Sequence, residues 1–119
     1  YGRYNQMMSK MIDRFAKYLT AIEYPKQNTS WNIAGILKGK NAFYRFDVRE
    51  MVRMPDGSPA KEGKLNTKAE KLVFERDDEW IIFDLEELNN HVKTNKLKKV
   101  YLDNLLKTLE WNIRIKKWD

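Results

Sequence analysis

Few residues in this chain are equipped for covalent or acid–base chemistry, and the first of them is His91, the only histidine. With no cysteine and no second imidazole, a Ser-His or Cys-His nucleophile pair would have to be assembled on His91 alone. It sits in a polar stretch beside an apolar stripe, which marks it as a structural histidine. No glycine-rich phosphate loop or dinucleotide fingerprint occurs, so nucleotide hydrolysis by those routes has no support. Carboxylates and lysines remain, and they suffice for metal-dependent cleavage of nucleic acid. Hard cations such as Mg²⁺ take oxygen ligands and clamp the attacking and leaving oxygens, while a lysine steadies developing charge. The candidates for that chemistry are Asp47, Asp56, Glu62, Lys64 and Glu70. The best geometric set pairs Asp47 on one strand with Glu70 or Glu75 on the next, and takes Lys68 or Lys71 as the lysine. Mg²⁺ or Mn²⁺ is required under this reading alone; otherwise the sequence implies no cofactor and no metal site.

Basic residues carry the stronger signal. The formal charge is +6 and the pI about 9.5, a balance that favours polyanionic partners, chiefly nucleic acid. Residues 1–70 carry 13 basic and 7 acidic side chains, residues 71–92 carry 2 and 7, and residues 93–119 carry 8 and 3. An acidic island thus lies between two basic flanks. The first flank offers Arg45, Arg49 and Arg53 on one side of a strand, with Lys61, Lys64 and Lys68 following. The second offers Lys93, Lys96, Lys98 and Lys99, then Arg114 and Lys116. Such groups gain by releasing counterions from a phosphate backbone, and nothing singles out base readout. Trp118, among basic residues near the end of the sequence, can stack on a base or dock a partner. The island itself (Asp77, Asp78, Glu79, Asp84, Glu86 and Glu87) lacks EF-hand spacing and is explained by a solvated turn and a helix start.

These residues must be positioned by an α+β fold within a single domain over residues 1–119, with 1–5 a loose lead-in. Apolar residues at helical spacing from Met8 to Ile22 predict a helix over 6–24, stopped by Pro25. Alternation predicts strands over 31–37 and 42–54, the glycine at Gly35 marking a bulge or a close backbone approach. Residues 55–67 read as a long mobile loop. Strands are expected over 68–75 and 80–83 around an acidic turn. A helix capped by Asp84 buries Leu85, Leu88 and Val92, a short helix follows with Asp103 as cap, and a last strand covers 111–117. Trp31, Trp80 and Trp111, each at a strand start, are expected in the core. The expected sheet is mostly antiparallel with about five strands, in the order α-β-β-β-β-α-α-β.

That order of elements resembles the core of the PD-(D/E)xK nuclease superfamily. The chain also holds the letters of its motif, Pro55-Asp56 followed by Glu62-Gly63-Lys64. The resemblance implies a metal-dependent nuclease. In that family, however, the ExK residues sit on a buried strand, whereas Glu62 and Lys64 fall in the least apolar stretch of this chain. The leading reading is therefore a non-enzymatic nucleic-acid-binding or nucleoprotein-associated module using Arg45, Arg49, Arg53, Lys61, Lys64, Lys98, Lys99, Arg114 and Lys116. Metal-dependent cleavage ranks second. A protein-interaction or regulatory subunit, its acidic island meeting a basic partner, ranks third. No membrane partner is expected, and the absence of disulfide chemistry and of apolar spans fits a soluble intracellular, cytoplasmic protein.

Overall fold

The sequence EWIIFD has four consecutive apolar residues between two acids, the mark of a strand covered on both faces. In the computed structural model, which describes residues 10–26, 29–49, 52–53, 59–62 and 68–117 (the backbone alone at 52–53 and 59–62), this strand is β7, Glu79–Asp84. It lies inside a six-stranded sheet ordered β1-β2-β3-β6-β7-β9. The other strands are β1 (Leu19–Glu23), β2 (Ile33–Leu37), β3 (Phe43–Arg49), β6 (Lys71–Glu75) and β9 (Asn112–Lys116). Trp80 and Ile82 point to one face, where Met11 and Phe15 of helix α1 (residues 10–16) join Phe46, Val48 and Val73. Ile81 and Phe83 point to the other, against α2 (Leu85–Asn95) and α3 (Leu102–Thr108) through Leu88, Val92, Leu102 and Leu105. The fold is α+β, with helices on both faces of the sheet.

The β6–turn–β7–α2 segment follows the sequence reading closely. β6 and β7 pair antiparallel from Lys71↔Asp84 to Glu75↔Trp80. The Asp84 carboxylate caps α2 by accepting from the Glu87 N–H at 3.0 Å. Lys96, in the left-handed region at φ 53°, closes the helix.

Four expectations are corrected. The sheet is mixed, with six strands rather than about five: β3 and β6 run parallel, with Phe46 opposite Lys71 and Arg49 opposite Phe74. Parallel neighbours need a long crossover, and the stretch read as a mobile loop contributes to it. Within that stretch β5 (Pro59–Glu62) pairs with β4 (Val52–Arg53) and with β8 (Lys99–Tyr101), forming a second, three-stranded sheet. The rest of the 55–67 loop expectation and the 1–5 lead-in lie outside the described residues. Next, the helix expected over 6–24 ends after residue 16, and 19–23 is strand β1. Leu19 continues the apolar stripe of Phe15 at helical spacing, but Tyr18 N–H bonds back to Phe15 C=O and the chain then pairs with β2. Tertiary pairing of a Thr- and Ile-bearing segment overrides the helical pattern. Finally, α3 starts one residue before Asp103 and its cap residue is Tyr101, without a side-chain cap bond, so Asp103 lies in the first turn.

Gly35 does mark a bulge, located on the neighbouring strand. The β1–β2 register shifts between Thr20 and Glu23, and Ala21 takes φ 54°. A Cβ on Gly35 would meet the Thr20 carbonyl oxygen at 2.9 Å and the Leu19 Cβ at 3.3 Å. Because the obstacle is backbone, Gly35→Ala is expected to cost about 1–3 kcal/mol, as overpacking does, read as a lower urea midpoint. Ala21→Gly relieves a left-handed alanine and is expected to gain up to about 1 kcal/mol. Equal midpoints for Gly35→Ala and the parent would contradict this packing.

Candidate functional site

Arg45, Asp47 and Arg49 alternate along β3 with Phe46 and Val48. In the parallel register Asp47 lies opposite Leu72 and Arg49 opposite Phe74, so these residues share the α2–α3 side of the sheet. Asp47 is only 2% exposed. Its two carboxylate oxygens accept from Arg49 Nε at 2.9 Å and a terminal guanidinium nitrogen at 3.1 Å. Glu70, just before β6, accepts the Arg45 backbone N–H at 2.6 Å and the Arg45 guanidinium at 2.7–3.2 Å. The structure therefore brings Asp47 and Glu70 to one side of the sheet, each already matched by an arginine fork. Lys71 and Glu75, one strand position out of phase with Leu72 and Phe74, are on the opposite face with Val73. Lys68 is exposed and is tied at its backbone N–H to the Ser30 hydroxyl at 2.7 Å. Glu62 falls on β5, while Asp56 and Lys64 lie outside the described residues. Among the described residues no cluster of three or more His, Cys, Asp or Glu has metal-binding geometry.

Half of the six residues of the acidic island have internal duties. Glu79 is forked by Arg114 at 2.6 and 2.8 Å, with Arg76 at 3.6 Å. Glu87 accepts the backbone N–H groups of Glu110 and Trp111 at 2.8 and 3.0 Å. Asp84, besides capping α2, holds the Lys71 ammonium at 2.8 Å. That ammonium, on a residue only 5% exposed, lies 3.7 Å from the centre of the Trp111 ring and 4.3 Å from that of Tyr44. Sequence reasoning named Lys71 only as a cleavage lysine. Its place in a row with Asp84 and two aromatic rings is that of a buried ion pair.

These ion pairs set an acid limit on stability. The Arg114 fork is the main influence on Glu79 and holds its carboxyl below the usual range. Burial opposes ionisation of Glu70 and Glu75, but Arg45 for the first, and Arg14 with Lys117 for the second, outweigh it and depress both. A depressed folded-state pKa contributes stability above the unfolded value, and that contribution is lost as pH falls through the folded one. The urea midpoint is therefore expected to hold from neutral pH to about 5 and to fall progressively below about 4.3, the unfolded glutamate value. Glu79→Gln should make the fall shallower. A midpoint that rises on acidification would contradict the assignment.

Of the nine nominated cations, Arg45, Arg49 and Arg114 thus serve carboxylates. Of the other six, four lie on or beside the second sheet, Lys116 is on β9, and Lys64 lies outside the described residues. Arg53 is on β4, Lys61 on β5 and Lys99 on β8, with Lys98 next to it; Val52 lies opposite Ala60, and Lys61 opposite Val100. Stretches some forty positions apart in sequence are therefore brought to neighbouring strands, which are spaced by about 5 Å in a sheet, with Lys61 opposite the buried Val100 and Lys99 at the alternate position, opposite Glu62. Lys98 and Lys99 are exposed, as is Lys116 at the edge strand β9. Trp118 lies outside the described residues. Of the remaining tryptophans, Trp80 is buried, and Trp31 and Trp111 are half-buried against the two cores.

Beside β8 a cleft of about 340 Å³ opens between the second half of α2 and α3. His91 and Asn95, one helical turn apart, form one wall, and Asn104 and Thr108, also one turn apart, form the other. Leu97, Val100 and Leu105 make an apolar floor, and Lys99 and Tyr101 stand at β8. Tyr101 is 38% exposed, one of four large apolar or aromatic side chains that show so much surface among the described residues. The Asn95 amide donates to the His91 C=O at 2.9 Å, and its nitrogen lies 3.2 Å from His91 Nδ1. Sequence reasoning missed this cleft. Its only local signal was an aromatic residue next to lysines; the facing walls come from the turn between α2 and β8.

Comparison with protein-family models, with characterised proteins and with solved structures gave no match. Among the described residues no helix is long and apolar enough to cross a membrane.

Proposed function

We propose that this protein binds nucleic acid as a non-enzymatic module, mainly through the phosphate backbone, on the side where β4, β5 and β8 meet. One observation carries this reading: the exposed Lys96, Lys98 and Lys99 stand together where the chain enters β8, beside the strand that carries Lys61, within a chain of net charge +6. Cations that reach phosphates gain affinity by releasing the counterions condensed there. The arginines tied to Glu70, Asp47 and Glu79 are left out of the interface, since freeing them would strand partly buried carboxylates.

A salt titration of binding to single- and double-stranded DNA and RNA tests the reading. The logarithm of affinity should fall linearly with the logarithm of salt, by about 0.7–0.9 per phosphate contact. Binding that is flat across salt, or absent at low salt, would overturn it. Adding Mg²⁺ or Mn²⁺ to the same samples reads strand cleavage directly.

A further inference from the structure

We infer that the cleft between α2 and α3 takes a single unpaired nucleobase, so that the nucleic acid bound is single-stranded. This inference rests on the proposed nucleic-acid reading and adds the ligand to it. The cleft has the make-up such a site needs. Its floor is apolar (Leu97, Val100 and Leu105), and its volume of about 340 Å³ lies at the small end of the usual range for ligand sites. Its walls carry the edge groups that pair with base edges. The side-chain amide of Asn104 offers a donor and an acceptor, Asn95, whose amide nitrogen is held by His91, offers its amide oxygen, and the His91 ring brings a further polar group. Tyr101, exposed at the cleft, supplies a ring face, and any base has a ring face to set against it.

The surroundings fit a base that arrives with its phosphates. Lys99 lines the cleft, and Lys96 and Lys98 are exposed on the turn that leads into β8. Paired and stacked bases of a duplex cannot enter a cleft without being flipped out, whereas bases of a single strand are already accessible. Tyr101 is the cap residue of α3 but makes no side-chain cap bond, so its ring is not needed to start the helix.

The test compares an intact DNA strand of about 12 nucleotides with a tetrahydrofuran-abasic strand of the same length and charge, at one salt concentration; a footprint of this size is typical of single-strand modules. The intact strand should bind at least about tenfold more tightly. Tyr101→Ala should erase that difference, and Tyr101→Phe should keep it, as expected for stacking. An RNA strand of the same base composition, run in parallel, identifies which nucleic acid supplies the base. Equal binding of intact and abasic strands would overturn the base site while leaving the phosphate reading intact. Failure of both strands to bind would overturn the two together. Because the abasic comparison uses the unaltered protein, it stands whether or not a variant folds.

Discussion

Replacing Asp84 by alanine is expected to destabilise the protein by about 3–5 kcal/mol, the usual cost of stranding one partner of a buried ion pair. Asp84 lies where the sheet, α2 and β9 come together. One oxygen caps α2 at the Glu87 N–H, and the other holds the Lys71 ammonium at 2.8 Å. With the carboxylate gone, that ammonium keeps its contacts with Trp111 and Tyr44. Cation–π contacts are worth about 0.5–2 kcal/mol and do not replace an anion. The lost cap adds about 1 kcal/mol. Lys71→Met should behave differently. The thioether fits between the rings, and Asp84, whose side chain is 26% exposed, keeps its cap bond and water. That variant is expected within about 1 kcal/mol of the parent, as when buried pairs give way to apolar residues. Urea midpoints at neutral pH decide the matter. If Asp84→Ala cost no more than Lys71→Met, the rings rather than the carboxylate would be holding the charge.

The second large effect is on binding. Reversing two charges, Lys98→Glu with Lys99→Glu, should weaken nucleic-acid binding about 10- to 100-fold at about 0.1 M salt, and should lower the salt slope by about one per phosphate contact removed. Both positions are exposed, and a urea midpoint measured beside the affinity separates loss of binding from loss of fold. Arg114→Gln makes the opposite contrast. It leaves Glu79, one of the few buried charged residues, with only the weaker Arg76 contact at 3.6 Å, so stability should drop while affinity stays near that of the parent. An affinity loss confined to Arg114→Gln would move the interface to the β9 edge.

The contrast between Lys98 and Arg114 shows what was legible in the sequence. Both appear there simply as basic residues. Whether a cation faces solvent or serves a carboxylate depends on partners 25 to 35 positions away, as with Arg45–Glu70 and Arg114–Glu79. Those partners are fixed by strand register, and the β3–β6 register is parallel, which local alternation does not reveal. The segment from Lys71 to Val92 was legible because each of its signals is local: a continuous apolar strand, an acidic turn, and an Asp cap before a helical stripe. Strand β1 was not, since Leu19 satisfies both a helical stripe and a strand. Strand β5, with the sequence PAKE, shows no alternation at all, and only its pairing with β4 and β8 makes it a strand. The candidate interface depends on that pairing. The basic residues were therefore readable, and their meeting place was not.

The most direct test of the interface is to follow the backbone amide signals of ¹⁵N-labelled protein as a single-stranded oligonucleotide is added at low salt. The account predicts that the largest shifts fall on Lys96–Asn104, on β4 and β5, and on the end of α2 around His91 and Asn95, while the β6–β7 turn at Asp77-Asp78 stays unchanged. Shifts concentrated on α1 and the β1 edge, or no shifts at any ratio, would contradict it.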